Sequence, residues 1–385
     1  MKQLKKALLA TIVLVFAIAA ISNATIRRIG YWGTPTALDY TSLQNAYNAS
    51  VAGDTLLVFP TTSGLGGISS VTHKIVIIGC GRGWGTFSDY GIFDTANYNL
   101  QTLAGFPNIT SINLNAGSDS SVISSLFFNN GSCYINGGTK SVNGVIVQRC
   151  IFWNGNSVYL DGNNNGNIIT GNYFAYGCVD CNYYTTNYST TNVTVSNNIF
   201  RCNSAGWVFY QYGVGVTGVI RNNIFRDPNS WGGNTTQTPI ISIPTGQMLI
   251  INNISNGLTL TAPNCMFFNN IGTGTEWPIS ASSGSGNLQN IPYSSIFINS
   301  FNNSPTLSPE ARFVLKANSP AVGYYFGGSA ASGGGSPDCG IYGGPTPHVL
   351  SGMPAEPVIY NVTGPANNIS NGATLQLSIS TKALN

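Results

Sequence analysis

The sequence predicts an all-β chain wound as a solenoid of short parallel strands. Three observations predict it. An apolar–polar phrase returns about every two dozen residues, which is the signature of a repeat architecture. The composition suits many tight bends, with 46 Gly, Asn at roughly one residue in eight and only 7% charged residues against about 25% in ordinary globular chains. No stretch after the N-terminus carries the 3.6-residue apolar period of helical repeats, and no leucine-spaced or Trp-Asp signature points to a horseshoe or a propeller.

The phrase runs apolar, polar pair, apolar pair. It reads Val145-Ile-Val-Gln-Arg-Cys-Ile-Phe152, Ile168-Ile-Thr-Gly-Asn-Tyr-Phe174, Val193-Thr-Val-Ser-Asn-Asn-Ile-Phe200 and Val219-Ile-Arg-Asn-Asn-Ile-Phe225, with Val122-Ile-Ser-Ser-Leu-Phe-Phe128 upstream. Weaker copies follow at Leu249-Ile-Ile-Asn-Asn-Ile254 and Met266-Phe-Phe-Asn-Asn-Ile271. The closing phenylalanines, at 128, 152, 174, 200 and 225, are spaced 24, 22, 26 and 25 residues apart. Alternation of Val193, Val195 and then Ile199, interrupted by the Asn pair, predicts two short strands meeting at a bend. Asn tolerates the left-handed backbone such a bend needs. Stacking places Asn197 over Asn222 and Asn198 over Asn223, and both columns are expected to hydrogen-bond from coil to coil.

The N-terminus reads as an export signal. Met1 to Lys6 is basic, Ala7 to Ile21 is apolar but short for a membrane span, and Ser22-Asn23-Ala24 offers a small-residue cleavage site. The expectation is a signal peptide over 1–24, a secreted or cell-surface mature chain, and no later membrane span. Without Lys2, Lys5 and Lys6 the charges are 12 positive and 12 negative. That balance leaves no basic surface for nucleic acid and suits self-association. The eight cysteines (Cys80, Cys133, Cys150, Cys178, Cys181, Cys202, Cys265, Cys339) permit four disulfides in an oxidising compartment, with plain buried thiols as the alternative. Cys178-Val-Asp-Cys181 has redox or zinc spacing, but no second such pair follows, so no metal or cofactor is expected.

Several stretches resemble the right-handed parallel β-helix, or pectin-lyase-like, superfamily. Tyr40-Thr-Ser-Leu-Gln-Asn-Ala46 and Val51-Ala-Gly-Asp-Thr-Leu-Leu-Val-Phe-Pro60 are similar to its entry, where a short helix caps the first coil; Lys74-Ile-Val-Ile-Ile-Gly79 is similar to its second coil. Phe313-Val-Leu-Lys-Ala-Asn-Ser-Pro-Ala-Val322 and Pro337-Asp-Cys-Gly-Ile-Tyr-Gly-Gly344 are similar to its closing phrase in secreted bacterial proteins. The resemblance implies a single-stranded right-handed parallel β-helix over 25–345, with roughly 11 to 13 coils at this repeat length. From 346 to 385 a Pro-rich tail, with one strand expected over Ala373 to Ser380, is placed as an end cap.

The same resemblance implies glycan ligands, whereas the scaffold alone fixes no activity. Paired carboxylates, as glycosidases require, do not fall into one repeat column. Asp161-Gly-Asn-Asn-Asn-Gly166 reads as a turn between coils, and no nucleophile elbow or phosphate loop is present. The weak catalytic candidates are Arg201 and Arg226, which share a column, with Asp180 and Asp227. Both arginines are expected to splay into solvent. The binding candidates are Trp153, Trp207, Tyr210, Tyr212 and Trp231. Alternation sends Trp207, Phe209 and Gln211 to one face and Val208, Tyr210 and Tyr212 to the other. The favoured expectation is a glycan-binding or surface-display module; the alternatives are a polysaccharide lyase or glycoside hydrolase, and a structural stalk or adhesin.

Overall fold

Each copy of the phrase folds as two short strands that leave a bend toward different sheets. Ile146–Gln148 and Ile151–Phe152 flank the bend at Arg149, and Thr190–Ser196 and Ile199–Arg201 flank the one at Asn197. This computed structural model describes residues 24–30, 36–59, 61, 64–79, 107–175, 177–182, 187–201, 206–226, 240–279, 283–298, 313–324, 338–348, 358–363 and 378–382. The apolar leader, Cys80, Cys202, Asp227 and Trp231 lie outside the described residues.

The chain is all-β with long parallel sheets, the arrangement of a β-solenoid. Strands recur in threes and pair in parallel mainly with their counterparts one repeat away; the pairing of Asn164 with Thr190 also joins the first two stacks into one 20-stranded sheet. A first stack runs from Ile26–Ile29 through Ile146–Gln148 and Val216–Arg221 to Gly284–Ser285. A second runs from Ile68–Val71 through Cys133–Asn143, Val158–Asn165, Val179–Cys181 and Trp207–Gln211 to Thr259–Thr261. A third, of eight strands, runs from Asn108–Ile109 through Ile199–Arg201 to Ile271–Gly272. Parallel pairing in every stack follows from coils that wind in one sense.

The closing phenylalanines turn inward and form a ring column. Centroids are 4.6 Å apart for Phe128–Phe152, 4.8 Å for Phe152–Phe174, 4.7 Å for Phe174–Phe200 and 5.4 Å for Phe200–Phe225. Each ring is fully buried, worth roughly 1.5–3 kcal/mol by area and ~0.5–1.5 kcal/mol more by stacking. The residue before each phenylalanine points outward from the third stack. Phe127, Ile151, Tyr173, Ile199 and Ile224 are buried there too, under Phe297, Phe313, Cys339 and Ile341 from the C-terminal part. The third stack is therefore apolar on both faces, as its unbroken apolar pairs require.

Residues 338–348 form a strap laid along the bends. Gly340 N–H donates to Asn252 O at 2.9 Å, Asn222 Nδ2 donates to Asp338 O and Gly340 O, and Asn197 Nδ2 donates to Ile341 O and Gly343 O at 2.8 Å each. The approach is tight enough to need glycine: a Cβ on Gly344, at φ +78°, would sit 2.7 Å from Asn222 Oδ1.

Helix α1, Leu43–Asn48, is capped by Ser42, whose Oγ accepts from Asn45 N, and buries Leu43, Ala46 and Tyr47 against the first strands. Beside it Asp54 is fully buried. Burial opposes its ionisation, but the Thr25 and Val51 amides and Arg27, at 3.0 Å, outweigh that and hold its carboxyl below the usual range. A second helix, α2, spans Tyr293–Ile296.

Two expectations are corrected here. The tail holds two antiparallel strands, Val358–Thr363 and Ser378–Lys382, rather than one, because the chain turns back and pairs with itself. None of the six described cysteines is in a disulfide. Cys133, Cys150, Cys181, Cys265 and Cys339 are buried among apolar side chains, where packing rather than bridging accounts for them.

Candidate functional site

With the third stack covered on both sides, the second stack offers the polar outward face that a ligand can reach. Alternation along Val179–Cys181 turns Val179 and Cys181 into the core and Asp180 to the opposite side of the strand, where it too is buried. Register then places Asp180 between Tyr159 on one neighbouring strand and Tyr210 on the other. Tyr134 continues the row beyond Tyr159, its ring stacked on that of Tyr159 at 5.0 Å and 8°. The row thus reads Tyr134, Tyr159, Asp180, Tyr210.

A bulge completes it. Trp207 pairs with Ile240 and Phe209 with Ile241, so Val208 is the extra residue. The insertion reverses the expected alternation, because one added residue flips everything beyond it. Trp207 joins Tyr210 and Tyr212 outside, while Val208 and Phe209 are both buried. The Trp207 and Tyr210 rings meet edge to face at 4.1 Å, and Tyr210 and Tyr212 are 4.0 Å apart. Trp207 and Tyr210 are half-buried and Tyr212 is exposed. Gln211 turns inward and bonds Gly213 O and Thr245 Oγ1.

Asp161 is the carboxylate that sequence reading missed. The run from Asp161 to Asn165 is not a turn but the end of the strand Val158–Asn165, because Gly162, at φ +89°, pairs with Gly138 and lets the strand continue. Leu160 pairs with Cys181, so Asp161 lies diagonally across from Asp180 on the next strand, a separation of about 7–8 Å between Cα atoms. Both are almost fully buried, at 3% and 5% exposure. Burial pushes the Asp180 carboxyl up to about 7; a hydrogen bond from the Cys178 thiol pulls it back, and the Asp161 charge raises it further. Asp180 Oδ1 is buried without a hydrogen-bond partner among the described residues.

The other candidates do not join this row. Arg201 and Arg226 pair in register as expected, but in the third stack, a different sheet from Asp180. Arg201 is 8% exposed and does not splay into solvent. Trp153 packs beside Phe127, at 6.5 Å, on the covered side of the third stack. Among the described residues no group of three or more His, Cys, Asp or Glu could hold a metal ion, and no helix is long and apolar enough to cross a membrane. No family model and no curated protein matches the chain.

Proposed function

We propose that this chain is an exported glycan-binding protein whose ligand lies along the row Tyr134, Tyr159, Asp180, Tyr210, with Trp207 and Tyr212 beside it. In this reading residues 1–24 are a cleaved signal. Residues 25–345 are a right-handed, pectin-lyase-like β-helix of roughly 11 to 13 coils, entered under the α1 cap, and 346–385 are an end segment. The observation that carries it is the concentration of aromatic rings on a polar outward face. Such rings present flat apolar faces to sugars. Affinity electrophoresis of the whole chain against plant and cell-surface polysaccharides tests it. Retardation by at least one, lost in Trp207→Ala with Tyr210→Ala, is the expected result; no retardation by any, or retention in the double variant, overturns it.

A second reading rests on the Asp161 and Asp180 pair. A carboxyl raised to about 7 stays about half protonated at neutral pH and can act as a general acid, with Asp161 on the neighbouring strand as the base or nucleophile. A reducing-sugar assay on the retained polysaccharide tests this, with Asp180→Asn and Asp161→Asn each expected to abolish release. The same shift makes a stability statement that needs no substrate. Asp180 has an ordinary value of 3.8 and is raised to about 7. Through that window the folded chain binds more protons than the unfolded one, so this group lowers stability as pH rises. Asp180→Asn should therefore gain on the order of 1–3 kcal/mol over the parent at pH 8 and nothing at pH 4, read as the difference in melting temperature.

A further inference from the structure

Where the strap ends, it encloses a cavity of about 450 Å³ against the bends, lined by Gln148, Arg149, Thr170, Gly171, Thr346, Pro347 and His348. We infer that this cavity binds a small anion, a sugar acid or sugar sulfate of one or two rings, through Arg149. Three observations support it.

Arg149 occupies the wrong place for an arginine. The bend column runs Ser125, Arg149, Gly171, Asn197, Asn222, Asn252, Asn269, with φ of +58°, +54°, +63°, +55°, +56°, +57° and +52°. Six of these are residues that are small or tolerate the left-handed region. An arginine there is strained by about 1–2 kcal/mol, and strain of this kind gathers where a side chain has a task.

The stem of the side chain also lies beside the strap. Arg149 Cγ and His348 Nδ1 lie 3.7 Å and 3.9 Å from where a Gly171 Cβ would stand, so the arginine and the strap histidine flank the same glycine. His348 Nδ1 donates to Asn197 O at 3.3 Å and its backbone N–H to Ile341 O, which fixes the ring as a wall.

Lastly, the lining chemistry is one-sided. It holds a guanidinium, an amide and two threonine hydroxyls, with no carboxylate. A guanidinium grips planar carboxylate and sulfate oxygens two at a time, and the volume falls in the ordinary range for one or two rings.

Isothermal titration of the whole chain with glucuronate, inorganic sulfate and glucose tests this. At least one anion should bind in the millimolar range or tighter, and glucose at least tenfold more weakly. Glucuronate alone would assign the carboxylate sugar; sulfate alone would assign a sulfate group as the part recognised. Arg149→Asn places the residue of the neighbouring bends at this position. It should weaken the anion at least tenfold while melting at or above the parent temperature. Trp207→Ala should leave the anion affinity unchanged, which separates this site from the aromatic face. No anion binding, equal binding of glucose, retention in Arg149→Asn or loss in Trp207→Ala would each overturn the inference.

Discussion

Asn222 and Asn223 are adjacent, chemically identical and fully buried, yet they hold different parts of the molecule together. Asn222 is at φ +56° and reaches outward to the strap. Asn223 turns inward: its Oδ1 accepts from Asn198 N at 2.9 Å and Asn198 Nδ2 at 3.1 Å, while its Nδ2 donates to Val195 O and Asn253 Oδ1. The same pattern links Asn172, Asn198, Asn223, Asn253, Asn270 and Asn287 into one amide ladder. The difference teaches that backbone conformation, not residue type, assigns the job. The first Asn of each pair spends its tolerance for the left-handed region on making the bend, and the second satisfies the backbone groups the bend leaves open inside.

The largest effect should come from cutting the ladder. Asn223→Ala removes the Oδ1 that accepts from Asn198 N and Nδ2 and the Nδ2 that donates to Val195 O and Asn253 Oδ1, four buried hydrogen bonds in all. Leaving such groups unmet costs about 1–3 kcal/mol each at most, with partial relaxation, so a loss of about 3–5 kcal/mol is expected in the unfolding free energy measured in urea. A loss under about 1 kcal/mol would mean the ladder follows the coils rather than holding them.

Sequence reading captured the two-strand phrase, the phenylalanine column and the pairing of Arg201 with Arg226, because each follows from a period that residues display directly. It expected both Asn columns to bond from coil to coil; the second does, while Asn197 and Asn222 of the first donate to the strap. Nothing in two adjacent asparagines says which takes the bend. The site was harder still. The bulge at Val208 contains neither Gly nor Pro, so simple alternation put Trp207 on the wrong face. Asp161 stands before Gly-Asn-Asn-Asn-Gly, a run that looks like a turn until Gly138 on the neighbouring strand is seen to pair with Gly162 across a register shift. Asp161 and Asp180 meet on a diagonal, which depends on the loop length between their coils and not on any local motif.

Asn222 should respond differently from its neighbour, and the difference separates the two jobs. Asn222→Ala puts an ordinary residue in the left-handed region and drops two bonds to the strap, about 2–3 kcal/mol together. Asn222→Gly restores the bend and should recover about 1 kcal/mol of that. At Asn223 glycine should do no better than alanine, since its role lies in its side chain. Limited proteolysis sharpens the contrast: both Asn222 variants should expose the 338–348 strap to cleavage at temperatures where the coils remain folded.

The smallest effect is expected where the column already breaks its own rule. Gly171 takes the bend at φ +63° between Arg149 and Asn197. An added Cβ there would make only ordinary contacts, 3.7 Å from Arg149 Cγ and 3.9 Å from His348 Nδ1. Gly171→Asn installs the residue that bends the next four coils, at little conformational cost, and it restricts the unfolded chain. Melting stability should therefore rise by at most about 0.5 kcal/mol, or stay level. A fall beyond about 1 kcal/mol would show that this bend is held open for the space beneath the strap, because the backbone itself gives asparagine no reason to fail there.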